Sequence, residues 1–235
     1  MADIANGDLG NILNLLSAVA GLGTTAMGLV DSSKAFMGGP SNFGFGHIKK
    51  AVGPFIKAAG TAFDQRQIED TLRANWLNGV ATADQKAKAK SLIHLGLTPD
   101  TAGDLAKAAG VSDDKLKSLA ANVAKGAPAS QDEINVLGQF DAVVSAVLDD
   151  AYEHGDQIYR NACKLLAMGV STVLAVIAGW AIAGETAHYF FSQNFFIALV
   201  LGLSATPLAP MAKDLASALQ TAANAVGAVK RKGTP

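Results

Sequence analysis

The side chains best placed to do chemistry lie in one short run, Asp149-Asp150-Ala151-Tyr152-Glu153-His154-Gly155-Asp156. On a helix, Asp149 and Glu153 stand one turn apart, as do Asp150 and His154. Carboxylates and an imidazole at that spacing can hold a divalent cation or line a cation vestibule. A solvated acidic face has the same pattern, and it is the expectation here. A metal needs further ligands from a second element, and the sequence names none, so no metal or other cofactor is predicted. His47, His94, His154 and His188 are dispersed, and no serine sits in a nucleophile elbow. A single cysteine, Cys163, excludes an intrachain disulfide framework and a cysteine-rich metal site. Gly21-Leu22-Gly23-Thr24-Thr25-Ala26 fits a dinucleotide-binding GxGxxA pattern. That motif needs a preceding strand and an acid about 20 residues on, and no acid lies between 32 and 63. The run reads as helix packing. Nothing predicts catalysis, and the protein is expected not to be an enzyme.

The elements that carry these residues are unevenly charged. Half of the 235 residues are hydrophobic and 17% are charged, against about 25% in an average soluble domain. Most ionisable groups fall between Phe43 and Lys164, which points to a second solvent at the two ends, the bilayer. Leu9–Val30 is charge-free, and as a helix it rises about 33 Å, close to a hydrocarbon core. Two lines of small residues run along it, Ser17-Gly21-Thr25 and Ala20-Thr24-Gly28, and predict close helix packing. Leu165–Gly184 is the strongest spanning signal, with Trp180 near one end. Thr186–Ala212 opens on an aromatic belt that includes Tyr189. Pro207 and Pro210 are expected to kink or break that helix. Residues 161–212 thus predict a transmembrane hairpin. Residues 1–10 hold Asp3 and Asp8 and no Lys or Arg, so no signal peptide is predicted.

Flanking charge gives an orientation. Arg160, Lys164, Lys213 and Lys230-Arg231-Lys232 border the hairpin feet, and its tip has no basic residue. Lys34, Lys49, Lys50 and Lys57 follow the first stretch. By the positive-inside rule, residues 31–160 and the C-terminus are expected to face the cytoplasm, the membrane being taken as a bacterial-type inner membrane.

Between the stretches, 38–46 reads as an irregular loop. Next, Ile48, Val52, Phe55 and Ile56 share one helical face. With Lys49, Lys50 and Lys57 off that face, residues 31–60 predict a loop and a basic helix lying at the membrane interface. Residues 61–160 predict a soluble helical domain. Ile68, Leu72 and Trp76 step by four, and Ala83–Leu95 gives a second helix. Helices over 99–109 and 113–125 follow, joined at Gly110, with Thr98 and Ser112 as caps. This pair invites a helix-turn-helix reading. The near balance of bases and acids over 61–130 and the two aspartates opening the second helix argue against nucleic acid. A long helix runs from Asp132 into the second stretch, and residues 131–160 carry a net charge of −6. In the tail, 213–235, Leu215, Leu219, Ala222 and Val226 form a short heptad seam suited to self-association.

The expectation is an all-α integral membrane protein: a first embedded helix over 1–30, a cytoplasmic helical domain and a C-terminal amphipathic helix. The expected function is a membrane anchor or scaffold whose partners are the bilayer and other protein subunits or copies of itself, with no nucleic acid and no small-molecule substrate. A homo-oligomeric channel is the alternative, weakened because no charge lies inside any stretch. A membrane-tethered DNA-binding regulator comes third.

Overall fold

The computed structural model describes residues 2–36, 38–59, 64–184 and 187–232, and of 2–9, 35 and 223–232 the backbone alone. The protein is all-α, with no strand among the described residues. Its contacts divide it into two compact units, Pro40–Arg160, and Met1–Gly39 with Asn161–Pro235.

Helices α2 (Ser41–Ala58), α3 (Gln65–Leu77), α4 (Thr82–Leu95), α5 (Ala102–Ala109) and α6 (Asp113–Ala124), with the first part of α7 (Gln131–Ile182), build Pro40–Arg160. The loop expected over 38–46 ends at Pro40, and α2 begins at Ser41. Gly44 is helical there because its close packing against Gly155 and Trp76 overrides its low propensity. The apolar face of α2 is also corrected. Ile48, Val52, Phe55 and Ile56 are buried in one core with Ile68, Leu72, Ile93, Leu105, Leu116 and Phe140, so this face is not open to lipid. Lys49, Lys50 and Lys57 remain exposed around it, and Lys49 pairs with Glu69 at 2.7 Å. Residues 41–58 therefore belong with the domain expected over 61–160.

Glycine 110, in the left-handed region at φ 67°, closes α5 and sets the turn into α6. Helix α5 starts three residues later than its Thr98 cap predicts. Thr98 and Thr101 bond each other, and the Thr101 hydroxyl donates to Gly96 O, so 98–101 form a turn. Helix α7 opens on a capping box. Ser130 N donates to Glu133 Oε2 at 2.7 Å, and Glu133 N donates to Ser130 Oγ at 3.3 Å.

The second unit holds α1 (Ala2–Ser32), the remainder of α7, and α8 (Gln193–Lys232). These carry three segments long and apolar enough to cross a membrane: Gly10–Ser32, part of Gln131–Ile182, and Gln193–Ala222. Helix α8 runs through Pro207 and Pro210 unbroken, against the break expected there. The tail expected as a separate helix is its continuation. Ala205 and Ala209, flanking Pro207, are buried against α1, and this contact holds the helix where backbone donors are missing. Between α7 and α8, exposed Phe191 adopts φ 70°, a conformation unusual for a bulky residue.

Candidate functional site

The crossing of α2 and α7 is set by two glycines. A Cβ on Gly44 would run into Gly155 O and stand 2.8 Å from Trp76 Cζ2, and one on Gly155 would stand 2.9 Å from Ile48 Cγ1. Helix backbones meet here with no side chain between them. Trp76 locks the crossing, donating from Nε1 to Ser41 O at 2.9 Å and packing on the Tyr152 and Tyr159 rings. Tyr152 is buried, and desolvation pushes its hydroxyl up to about 12.

This contact brings His47, three residues beyond Gly44, beside His154, the neighbour of Gly155. Their ring centroids lie 5.6 Å apart. Asp150 completes the group, its Oδ1 3.0 Å from His154 Nδ1. Ligand atoms of His47, Asp150 and His154 all lie within 4.8 Å of one another. The acidic face read from the sequence is therefore redrawn. Asp150 and His154 come together with His47, a residue from a second helix. Asp149 turns away to Lys86 Nζ at 2.6 Å, and exposed Glu153 is outside the group. Lys90 is likewise held by Asp141 at 2.7 Å. Lys86 and Lys90, basic residues of the 61–130 segment, are thus paired with acids of α7, while Lys88 is exposed.

In the second unit the packing line differs from the one predicted. On α1, Ser17, Gly21, Thr25, Thr24 and Gly28 are exposed and Ala20 is half-buried. A Cβ on Gly21 or Gly28 would meet nothing within 4 Å. The contact runs through Gly23 and Ala26 instead. A Cβ on Gly23 would strike Ala205 O and stand 2.7 Å from Ala209 Cβ, and Ala26 is fully buried. These two residues belong to the run read as helix packing. Helices α7 and α8 meet at Gly202, where a Cβ would strike Thr172 Cα. There buried Ser171 Oγ donates to Gly202 O at 2.6 Å and lies 3.2 Å from Thr206 Oγ1. Small residues with an interhelical hydroxyl bond are how helices associate in lipid. Neither Ser171 nor Gly202 stood out in the sequence.

Of the two aromatic residues expected at an interface, Trp180 is half-buried, whereas Tyr189 is buried, its hydroxyl seated over Gly179. Glycine at 179 leaves room for that ring. Around Tyr189 the exposed aromatics are Phe190, Phe191 and Phe196. A groove of about 410 Å³ lies between α1, α7 and α8, walled by Leu15, Val19, Leu22, Ile197 and Leu201, with Asn194 among them. In the tail, Leu215 and Ala222 are exposed and Leu219 is half-buried. The Val226 side chain falls outside the described residues.

The architecture defines the class: an all-helical protein with three helices able to cross a membrane and a separate helical unit. No protein-family model, no curated protein and no solved structure matches the chain.

Proposed function

We propose that the protein is a non-enzymatic membrane anchor or scaffold that holds a helical domain at the bilayer and docks other subunits or copies of itself. One observation carries this reading, the contrast in exposed apolar surface. In Pro40–Arg160 the large exposed hydrophobics are Phe43, Leu95, Val123 and Ile134, scattered singly over a domain with its own closed core. In the other unit Leu165, Val173, Ile177, Ile182, Val200 and Met211 are all more than half exposed. The apolar windows of the three long helices are only 11%, 11% and 33% buried. Contiguous apolar surface of that extent calls for lipid or protein around it. Taking the membrane as a bacterial-type inner membrane, the distribution of Lys and Arg supports 31–160 and the C-terminus on its cytoplasmic side. Apart from Asn194 the groove's lining is apolar and carries no charge, which favours the scaffold over the channel.

The test is native mass spectrometry of the protein extracted in mild detergent from its own membranes. Co-purified subunits, or a defined multimer that conducts no ions in planar bilayers, would support the scaffold. A conducting multimer would replace it with the channel. Recovery as a monomer without detergent would overturn the membrane reading itself.

A further inference from the structure

We propose that His47, Asp150 and His154 form a binding site for a transition-metal ion of the zinc class, which clips α2 onto α7. Neutral imidazoles and a carboxylate suit Zn²⁺, with Ni²⁺ and Cu²⁺ as competitors. Mg²⁺ and Ca²⁺ prefer oxygen ligands throughout. In a tetrahedral zinc site, bonds of 2.0–2.1 Å place neighbouring ligand atoms about 3.3 Å apart. His154 Nδ1 stands 3.0 Å from Asp150 Oδ1 and 3.2 Å from the Asp150 carbonyl, contacts that a bound ion would replace once that nitrogen is unprotonated, and the whole set lies within 4.8 Å. Closing the remainder is a movement of side chains only, because both helices are fixed where Gly44 meets Gly155. Ligands carried on packed helices are held more rigidly than ligands on loops.

The surroundings suit a cation. The Asp150 and His154 side chains are 67% and 56% exposed, so an ion enters from water and keeps a coordination position for it. Exposed Glu153, next to His154 in sequence, adds negative charge, whereas Asp149 is paired with Lys86. His47 and His154 come from helices far apart in the sequence. An ion shared between them favours the folded crossing over any opened form. This inference rests on the α2–α7 crossing alone and is independent of the membrane reading.

The test uses the full chain in detergent micelles, titrated with zinc chloride by calorimetry and with cobalt(II) chloride by visible absorption. The expected result is saturable binding of one ion per chain, weakened roughly tenfold or more by His47→Gln and by His154→Gln. His188→Gln leaves it unchanged. Excess zinc raises the melting temperature of the parent protein but not of either variant. Circular dichroism checks that the variants fold. If His47→Gln does not, His154→Gln, at an exposed position, carries the test. No saturable zinc binding would overturn the site. Binding that survives His47→Gln would overturn the clip, leaving a surface contact on α7 alone.

Discussion

A methyl group added at Gly44 has no room, because it meets the Gly155 carbonyl, the Trp76 ring and Tyr159 Cβ. Gly44→Ala is therefore expected to destabilise the protein by about 1–3 kcal/mol, read as a lower thermal midpoint by circular dichroism. Gly46→Ala, two residues on, meets nothing within 4 Å and should stabilise α2 by about 0.5–1 kcal/mol. Glu133 makes a second prediction. The Ser118 hydroxyl donates to its carboxylate at 2.5 Å, the Ser130 backbone N–H at 2.7 Å and the Asn122 amide at 3.0 Å. Led by Ser118, these bonds outweigh burial and hold the group below its ordinary 4.5. A carboxyl lowered by folding contributes stability that is present above its unfolded value and lost as pH falls through the folded one. Glu133→Gln should flatten the loss of stability as pH falls below the ordinary carboxyl value of 4.5, measured by denaturant midpoints on either side of it. The Ser130-x-x-Glu133 signature is visible in the sequence, since a capping box needs only local spacing. His47 is not legible as a partner of His154, because its placement depends on two glycines whose meeting no local pattern encodes.

For the helices, spacing shows that a line of small residues exists but not which line meets a neighbour. Helix α1 offers Ser17-Gly21-Thr25, Ala20-Thr24-Gly28 and the line through Gly23, and α8 takes the last because Ala205 and Ala209 present matching small side chains. Gly23→Leu should accordingly cost about 1–3 kcal/mol of stability in detergent and loosen α1 from α8. Gly21→Leu should not lower the monomer's melting temperature. Disulfide cross-linking of cysteines engineered into α1 and α8 distinguishes the two. If Gly21→Leu alters the mass of the extracted assembly, the exposed lines serve contacts between chains. The amphipathic face of α2 was legible as a stripe, but a stripe does not say whether lipid or protein covers it. Lys49, Lys50 and Lys57 fit either answer.

At the scale of the whole molecule, the segregation of charge anticipates two kinds of surface, and the structure has them. The boundary is less legible, because α7 runs without interruption from Gln131 to Ile182 and contributes to both units. A fragment of residues 40–160 should fold without detergent as a monomer, with one cooperative thermal transition of about 80 kcal/mol by calorimetry. A broad, non-cooperative melt would show that its core needs the apolar helices. The conformation of Phe191 makes this question of solvent measurable at one residue. Glycine would occupy its left-handed backbone without strain, whereas a bulky side chain there costs on the order of 1–3 kcal/mol. In water, Phe191→Gly should raise stability. Beside headgroups, where an aromatic ring gains by partitioning, the advantage shrinks or reverses. The same substitution measured in a thin polar micelle and in a lipid nanodisc becomes a depth gauge. The difference between the two results reports how far the tip between α7 and α8 sits into the bilayer's edge.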